Sequence, residues 1–234
     1  MATPSILRLN GQGLTEVPAN LPADLQILSL ADNRLTELPA LLPLGLKFLD
    51  VTGNLLQSLP VNLPPTLEIL YTGYNRLTTL PATLPPSLQI LSVHRNALTE
   101  LPATLPAGIH TLVASYNRLQ TLPATLPPAL RHLRADHNIL SVFPSILPDG
   151  LCDAWLEHNT ISRIDRITIP ISLLSLRLDY NRITQITHFT FNPQIRCTLA
   201  GNPLTIPYIS DRESLYDYLV RLVQHQDAQL QSWY

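Results

Sequence analysis

The chain has 234 residues, 45% hydrophobic and only 14% charged, which is too apolar for a disordered tail and well under the charged share of about 25% in an ordinary soluble protein. Fifteen Lys and Arg against seventeen Asp and Glu leave a formal net charge of -2, so there is no basic footprint for nucleic acid. Two cysteines this far apart exclude a disulfide scaffold and a zinc knuckle.

The opening residues Met1 to Ser5 carry no basic stretch leading into an apolar run, and each later hydrophobic stretch is soon broken by a polar residue. No cleavable signal peptide and no membrane span are expected. An internal period then organises the chain. Asn33, Asn54, Asn75, Asn96, Asn117, Asn138 and Asn159 stand 21 residues apart, and Asn181 and Asn202 follow at 22 and 21. One period before Asn33 stands Gln12, with Leu7, Leu9 and Leu14 in the leucine positions, so about ten units run from Pro4 to Leu204.

A unit reads LQILSLADNRLTELPALLP, from Leu25 to Pro43. So short a unit cannot bury its own leucines and must stack on its neighbours, which predicts a solenoid. Within LxxLxL the leucines alternate with outward residues at the period of a strand, so the strands are expected to form a parallel sheet. The asparagine after each strand sits where the chain turns, and its amide is expected to satisfy buried backbone groups. Two proline series follow at the same beat, Pro18 to Pro144 and Pro22 to Pro148. Proline has no N–H and holds the preceding residue out of the helical region, so the return stroke is expected to be extended or polyproline-like.

Equivalent outward positions stack about 5 Å apart, so the concave surface can be read column by column. The first column starts as an aliphatic and aromatic stripe, Ile6, Ile27, Phe48, Ile69 and Ile90, and continues through Thr111, His132, Asp153, Ser175 and Arg196. The second holds Tyr71, Arg134, Trp155 and Arg177, and the two positions before the asparagine add Tyr74, His94, Arg95, Tyr116, Asp136, His137, Glu157, His158, Asp179 and Tyr180. Exposed apolar patches mark contact sites, and Tyr, Trp and Arg are enriched in binding hot spots. The expected protein-binding groove is centred on Tyr71, Tyr74, Arg95, Tyr116, Arg134 and Trp155, with His94, His132, Asp136, His137, Glu157, His158, Arg177 and Tyr180 around it. Taken singly, the isoleucines merely suit a strand; the reading rests on the collective surface. His137 and His158 beside Asp136 and Glu157 are zinc-compatible by residue type, but solvated histidines on a mixed-charge surface are the preferred reading. No metal or other cofactor is expected. The same histidines suggest pH-sensitive binding near neutrality.

From Thr160 onward the proline beat fails, and Ile164, Ile167, Ile169 and Ile171 replace the leucine-proline return. Ser210-Asp211-Arg212-Glu213 then offers a capping box, with Leu215, Tyr218, Leu219, Leu222 and Val223 at helical spacing. An amphipathic helix from Ser210 to about Gln229 is expected to cover the last repeat. The expected division is a solenoid over 1–206 and a helical cap over 207–234. No comparable cap precedes the first strand, and a trimmed protein and an atypically short one both fit that observation.

The pattern LxxLxLxxNxLxxLPxxLPxxL resembles the leucine-rich repeat in its short bacterial form. Asn75 to Pro106, NRLTTLPATLPPSLQILSVHRNALTELPATLP, is similar to the repeats of secreted enterobacterial effectors of the IpaH, SspH, SlrP and YopM type, with the LPATLPPxL variant nearest to SlrP. The resemblance implies an α/β leucine-rich-repeat solenoid with short parallel strands on the concave face, an extended convex face and a C-terminal capping helix. It also implies delivery into a host cell by a specialised secretion system, and host proteins as partners. Phe189 to Leu204, FTFNPQIRCTLAGNPL, is similar to the closing repeat of the ubiquitin-ligase members.

Those ligases carry a catalytic cysteine in a Cys-x-Asp motif on a separate helical domain. Here Asp153 follows Cys152 directly inside a repeat, and Cys197 occupies an inward leucine position that reads as core. With no phosphate loop or serine elbow either, this chain is not expected to be an enzyme. Two functions remain open: a binding module acting inside the host cell, or the substrate-recognition half of a NEL-type E3 ubiquitin ligase whose catalytic domain is not in this chain. Lys47 is the sole lysine, which would limit ubiquitin acceptor sites.

Overall fold

The structure is a computed structural model and describes residues 5–165, 167–187 and 195–204. The strands of the described residues are short: β1 Ser5–Arg8, β2 Leu25–Ser29, β3 Phe48–Asp50, β4 Ile69–Tyr71, β5 Ile90–Ser92, β6 Thr111–Val113, β7 His132–Arg134, β8 Asp153–Trp155, β9 Arg163–Asp165, β10 Ser175–Arg177, β11 Gln185–Thr187 and β12 Arg196–Thr198. Ten of them form one parallel sheet in the order β1-β2-β3-β4-β5-β6-β7-β8-β10-β12. Each strand pairs with its equivalent one repeat away, as in Leu70↔Leu91 and Leu112↔Leu133. The 21-residue period is thus a winding period, and side chains one period apart become neighbours.

The inward residues build a single core. Leu28, Leu49, Leu70, Leu91, Leu112 and Leu133 at the strand centres are 0% exposed, and the column closes on Ala154, Leu176 and Cys197, all buried. The leucines two residues beyond each asparagine, Leu35 through Leu140, form a second fully buried column. Each buried leucine adds roughly 1.5–3 kcal/mol relative to exposure, and it gains that only when a neighbouring repeat covers it.

The asparagine ladder has the expected role and adds bonds between repeats. Asn138 Oδ1 accepts Leu119 N at 2.9 Å, while its Nδ2 donates to Ala114 O at 3.0 Å in the preceding repeat and to Ala135 O at 3.2 Å in its own. Asn54 and Asn181 repeat the pattern. One amide therefore ties three backbone groups at a turn buried from water, and successive asparagines share carbonyls, Ala114 O taking Asn117 and Asn138 and Ala135 O taking Asn138 and Asn159.

No helix occurs among the described residues, so the return strokes are non-helical there. The carbonyls of the second proline series accept the N–H three residues on, as in Pro43 O from Leu46 N at 3.0 Å, closing a β-turn that launches the next strand. This contact outlasts the point where the proline beat is expected to fail, because Pro170 O still accepts from Leu173 N at 3.0 Å. The loss of the first series does have a consequence. Asp165 and Thr187 stand where regular repeats carry that proline, and there the return strokes become β9 and β11, which pair in parallel as a separate two-stranded sheet. Proline withholds a ladder donor, so such pairing is absent where it recurs. The helix expected from Ser210 lies outside the described residues.

Candidate protein-binding surface

In every repeat, the residue immediately before the asparagine position is held in the left-handed backbone region. Glycine fills that place at Gly11, Gly53 and Gly201 with φ of 65 to 70°. Elsewhere it is filled by Asp32, Tyr74, Arg95, Tyr116, His137, His158 and Tyr180, with φ of 53 to 57°. A side chain in this region costs roughly 1–2 kcal/mol that glycine avoids. Six consecutive repeats nevertheless put a large side chain there, and these six touch one another.

They form a continuous stack down the solenoid. The Arg95 guanidinium lies 5.1 Å from the Tyr74 ring centroid and 4.1 Å from that of Tyr116. Tyr116 stacks on His137 at 4.1 Å, His137 on His158 at 4.3 Å and His158 on Tyr180 at 4.6 Å, with interplanar angles of 14°, 27° and 13°. The winding period sets these separations, because neighbouring strands are about 4.8 Å apart and a planar side chain nearly fills that gap. Ring faces are satisfied within the column, and Tyr74, Tyr116 and Tyr180 remain exposed.

A second, shorter stack lies in the strands. Trp155 is sandwiched between Arg134 at 4.2 Å and Arg177 at 4.0 Å. Tyr71 meets Phe48 edge-on at 5.6 Å. His94 meets Tyr74 edge-on at 5.1 Å, and its Nδ1 lies 2.9 Å from Ser92 Oγ. Gly73 makes room for that ring, since a Cβ there would come within 2.3 Å of the imidazole. Burial and then the Arg95 charge push the His94 pKa down and favour the neutral ring.

The acids form a third line beneath the long stack. Asp136 accepts from Ser115 Oγ and pairs with His137 Nδ1 at 3.0 Å. Glu157 Oε1 lies 3.7 Å from Arg177. Asp179 accepts from Thr198 Oγ1 and, at 2.7 Å, from Ala200 N. His132 pairs with Asp153 in the neighbouring strand. Burial raises the Glu157 pKa above the ordinary carboxylate value, which the Asp136 and Asp179 charges reinforce while its own backbone N–H and Arg177 oppose it.

All fourteen residues expected at the surface therefore fall into these connected groups. Sequence reasoning misses the left-handed backbone of the long column, although glycine recurring at Gly11, Gly53 and Gly201 in that place is the available signal. It also leaves Asp153 and Asp179 outside the expected groove. The isoleucine stripe is less open than expected: Ile6 is exposed, but Ile27, Phe48, Ile69 and Ile90 are half-buried between neighbouring strands. The histidine pair is a stacked pair, and no group of three or more His, Cys, Asp or Glu arranged to hold a metal occurs among the described residues. Cys197 is buried in the core, and burial pushes its thiol up to about 12.

The leucine-rich-repeat domain of a Shigella effector superposes on this chain with a TM-score of 0.51 and 32% identity, over 80% of this chain and 70% of that one. The chain belongs to the leucine-rich-repeat domains of bacterial effectors. YopM from Yersinia enterocolitica matches this effector-type domain at 28% identity and a TM-score of 0.52, over 83% of this chain and 51% of YopM. InlJ from Listeria monocytogenes, at 20% identity and a TM-score of 0.71, shares the fold over 87% of this chain and 45% of its own. No sequence-family profile and no curated protein matches the domain. No helix among the described residues is long and apolar enough to cross a membrane.

Proposed function

We propose that this effector-type domain works inside a host cell as a protein-recognition module, engaging host proteins with the concave face of repeats four to nine. The observation that carries the reading is the left-handed column. Six consecutive repeats hold Tyr74, Arg95, Tyr116, His137, His158 and Tyr180 in a conformation that glycine adopts without strain. Strained backbone concentrates at functional sites, and Tyr and Arg are the residues that dominate binding hot spots. Secretion into the host cell follows from the effector resemblance.

The test is the double variant Tyr116→Ala with Trp155→Ala, immobilised beside the wild-type domain and challenged with host-cell lysate. Each removed ring breaks a stack at its middle, so the host proteins retained by wild type should fall at least tenfold. Unchanged retention would move the site off the concave face. A second reading makes the domain the substrate-recognition arm of a NEL-type E3 ubiquitin ligase. It is favoured by the similarity of Phe189 to Leu204 to the closing repeat of the ligase members, and a catalytic helical domain following Tyr234 in the native polypeptide would decide for it.

A further inference from the structure

The charged groups of the concave face differ in what holds them. Asp136, Asp153 and Asp179 each accept a hydrogen bond from a neighbouring side chain, and Glu157 faces Arg177. Their unused oxygens, Asp153 Oδ1 and Glu157 Oε2, are sealed from solvent and beyond the reach of a macromolecule at the surface. Arg95 and Arg134 are in the opposite condition. Both are exposed, and neither has a carboxylate in ion-pair range or a hydrogen-bond acceptor among the described residues. Only ring faces hold them: Tyr74 and Tyr116 for Arg95, and Trp155 for Arg134.

A guanidinium stacked by its face keeps its in-plane N–H fork free. Stacking also orders the long side chain in advance, which lowers the entropy lost when the fork binds. The surface thus has its acceptors used internally and two oriented donors left over. Bidentate carboxylates are the natural complement. From these residues we infer that Arg95 and Arg134 receive the carboxylates of an acidic segment of the partner protein. The inference rests on the protein-binding reading and names the chemistry of its partner.

The two forks stand two repeats apart, about 10 Å along the solenoid at the usual strand spacing, so they suit separate Asp or Glu residues on one segment. A continuous polyanion fits poorly. Asp136, Asp153, Glu157 and Asp179 follow in repeats seven to nine, and the whole chain carries a net charge of -2, so a nucleic acid long enough to run on past Arg134 would meet repulsion that a short segment seated on the two arginines avoids.

The test uses the whole chain and a fluorescein-labelled peptide of alternating glutamate and glycine, read by anisotropy at low salt. The glutamine-glycine peptide and a thymidine oligonucleotide of equal length serve as controls. The glutamate peptide should bind and both controls should not. Arg95→Gln with Arg134→Gln should weaken that binding at least tenfold, whereas Arg118→Gln, an exposed arginine beyond the turn asparagine, should change it less than twofold. Arg95→Lys with Arg134→Lys keeps the charge and the fold but loses the planar fork, and should also weaken binding severalfold. No binding of the glutamate peptide to wild type, equal binding by the glutamine double variant, or equal binding of the oligonucleotide would each overturn the inference. If it falls in one of these ways while Tyr116→Ala with Trp155→Ala still abolishes retention of host proteins, the protein-binding reading stands with a partner of other chemistry.

Discussion

At the scale of single residues, the column before the asparagines inverts the usual ranking of substitutions. Replacing a large aromatic residue by glycine ordinarily removes packing, and replacing it by valine keeps more of it. At Tyr116, φ is 57°, a region that β-branched residues essentially never enter. Tyr116→Val should therefore be less stable than Tyr116→Gly by about 1–2 kcal/mol, measured as the difference in urea midpoint at constant slope. Valine equal to or better than glycine would mean that the backbone relaxes out of the left-handed region. The same reasoning explains why Gly201 must stay small, since a Cβ there would lie 2.6 Å from the Tyr180 ring.

Between elements, the asparagine ladder does what the strands are too short to do. Strands of three residues make few bonds each, and the buried amides add links that cross from repeat to repeat. Asn138→Ala would leave Leu119 N without its acceptor and remove one of the two amide donors on each of Ala114 O and Ala135 O, which keep Asn117 and Asn159. At about 1–3 kcal/mol for a buried group left unpaired, the expected loss is about 2 kcal/mol in chemical denaturation. A loss under 0.5 kcal/mol would show that the turn is not sealed from solvent. The prolines act at the same scale by opposite means. They keep the return strokes from pairing, and where Asp165 and Thr187 replace them the β9 and β11 ladder forms.

For the whole molecule, the two halves of the sheet divide the labour. The aliphatic stripe runs through repeats one to five, and the first three carry Gly11, Asp32 and Gly53 in the left-handed place, while repeats four to nine hold the stacks and the acids. Collecting acids under a ring stack has an electrostatic consequence. Because burial raises the Glu157 pKa above its ordinary value of 4.5, the folded state binds its proton more tightly than the unfolded chain does. The stability from this group is complete below 4.5 and is lost as pH rises through the raised value. Glu157→Gln should therefore be more stable than wild type at neutral pH, with the gap closing on acidification; a gap independent of pH would show that Glu157 is not held this way. His94 works in the other direction, its stability being present above 6.5 and lost as pH falls through its lowered value.

The winding of the chain was legible in the residues themselves. Asparagine, leucine and proline recurring every 21 positions sufficed for the solenoid, the parallel sheet, the inward columns and the outward ones, because each repeat solves the same burial problem and must solve it in the same way. The members of the concave surface were legible for the same reason, as periodicity alone assigns a residue to a face. What only the tertiary structure decided is how those members engage one another. The left-handed backbone of Tyr116 or His158, the sandwich of Arg95 between two tyrosines, and the contrast between paired acids and unpaired arginines depend on angles and on separations near 4 Å. Those quantities arise when one repeat is laid on the next, so no single stretch of sequence contains them.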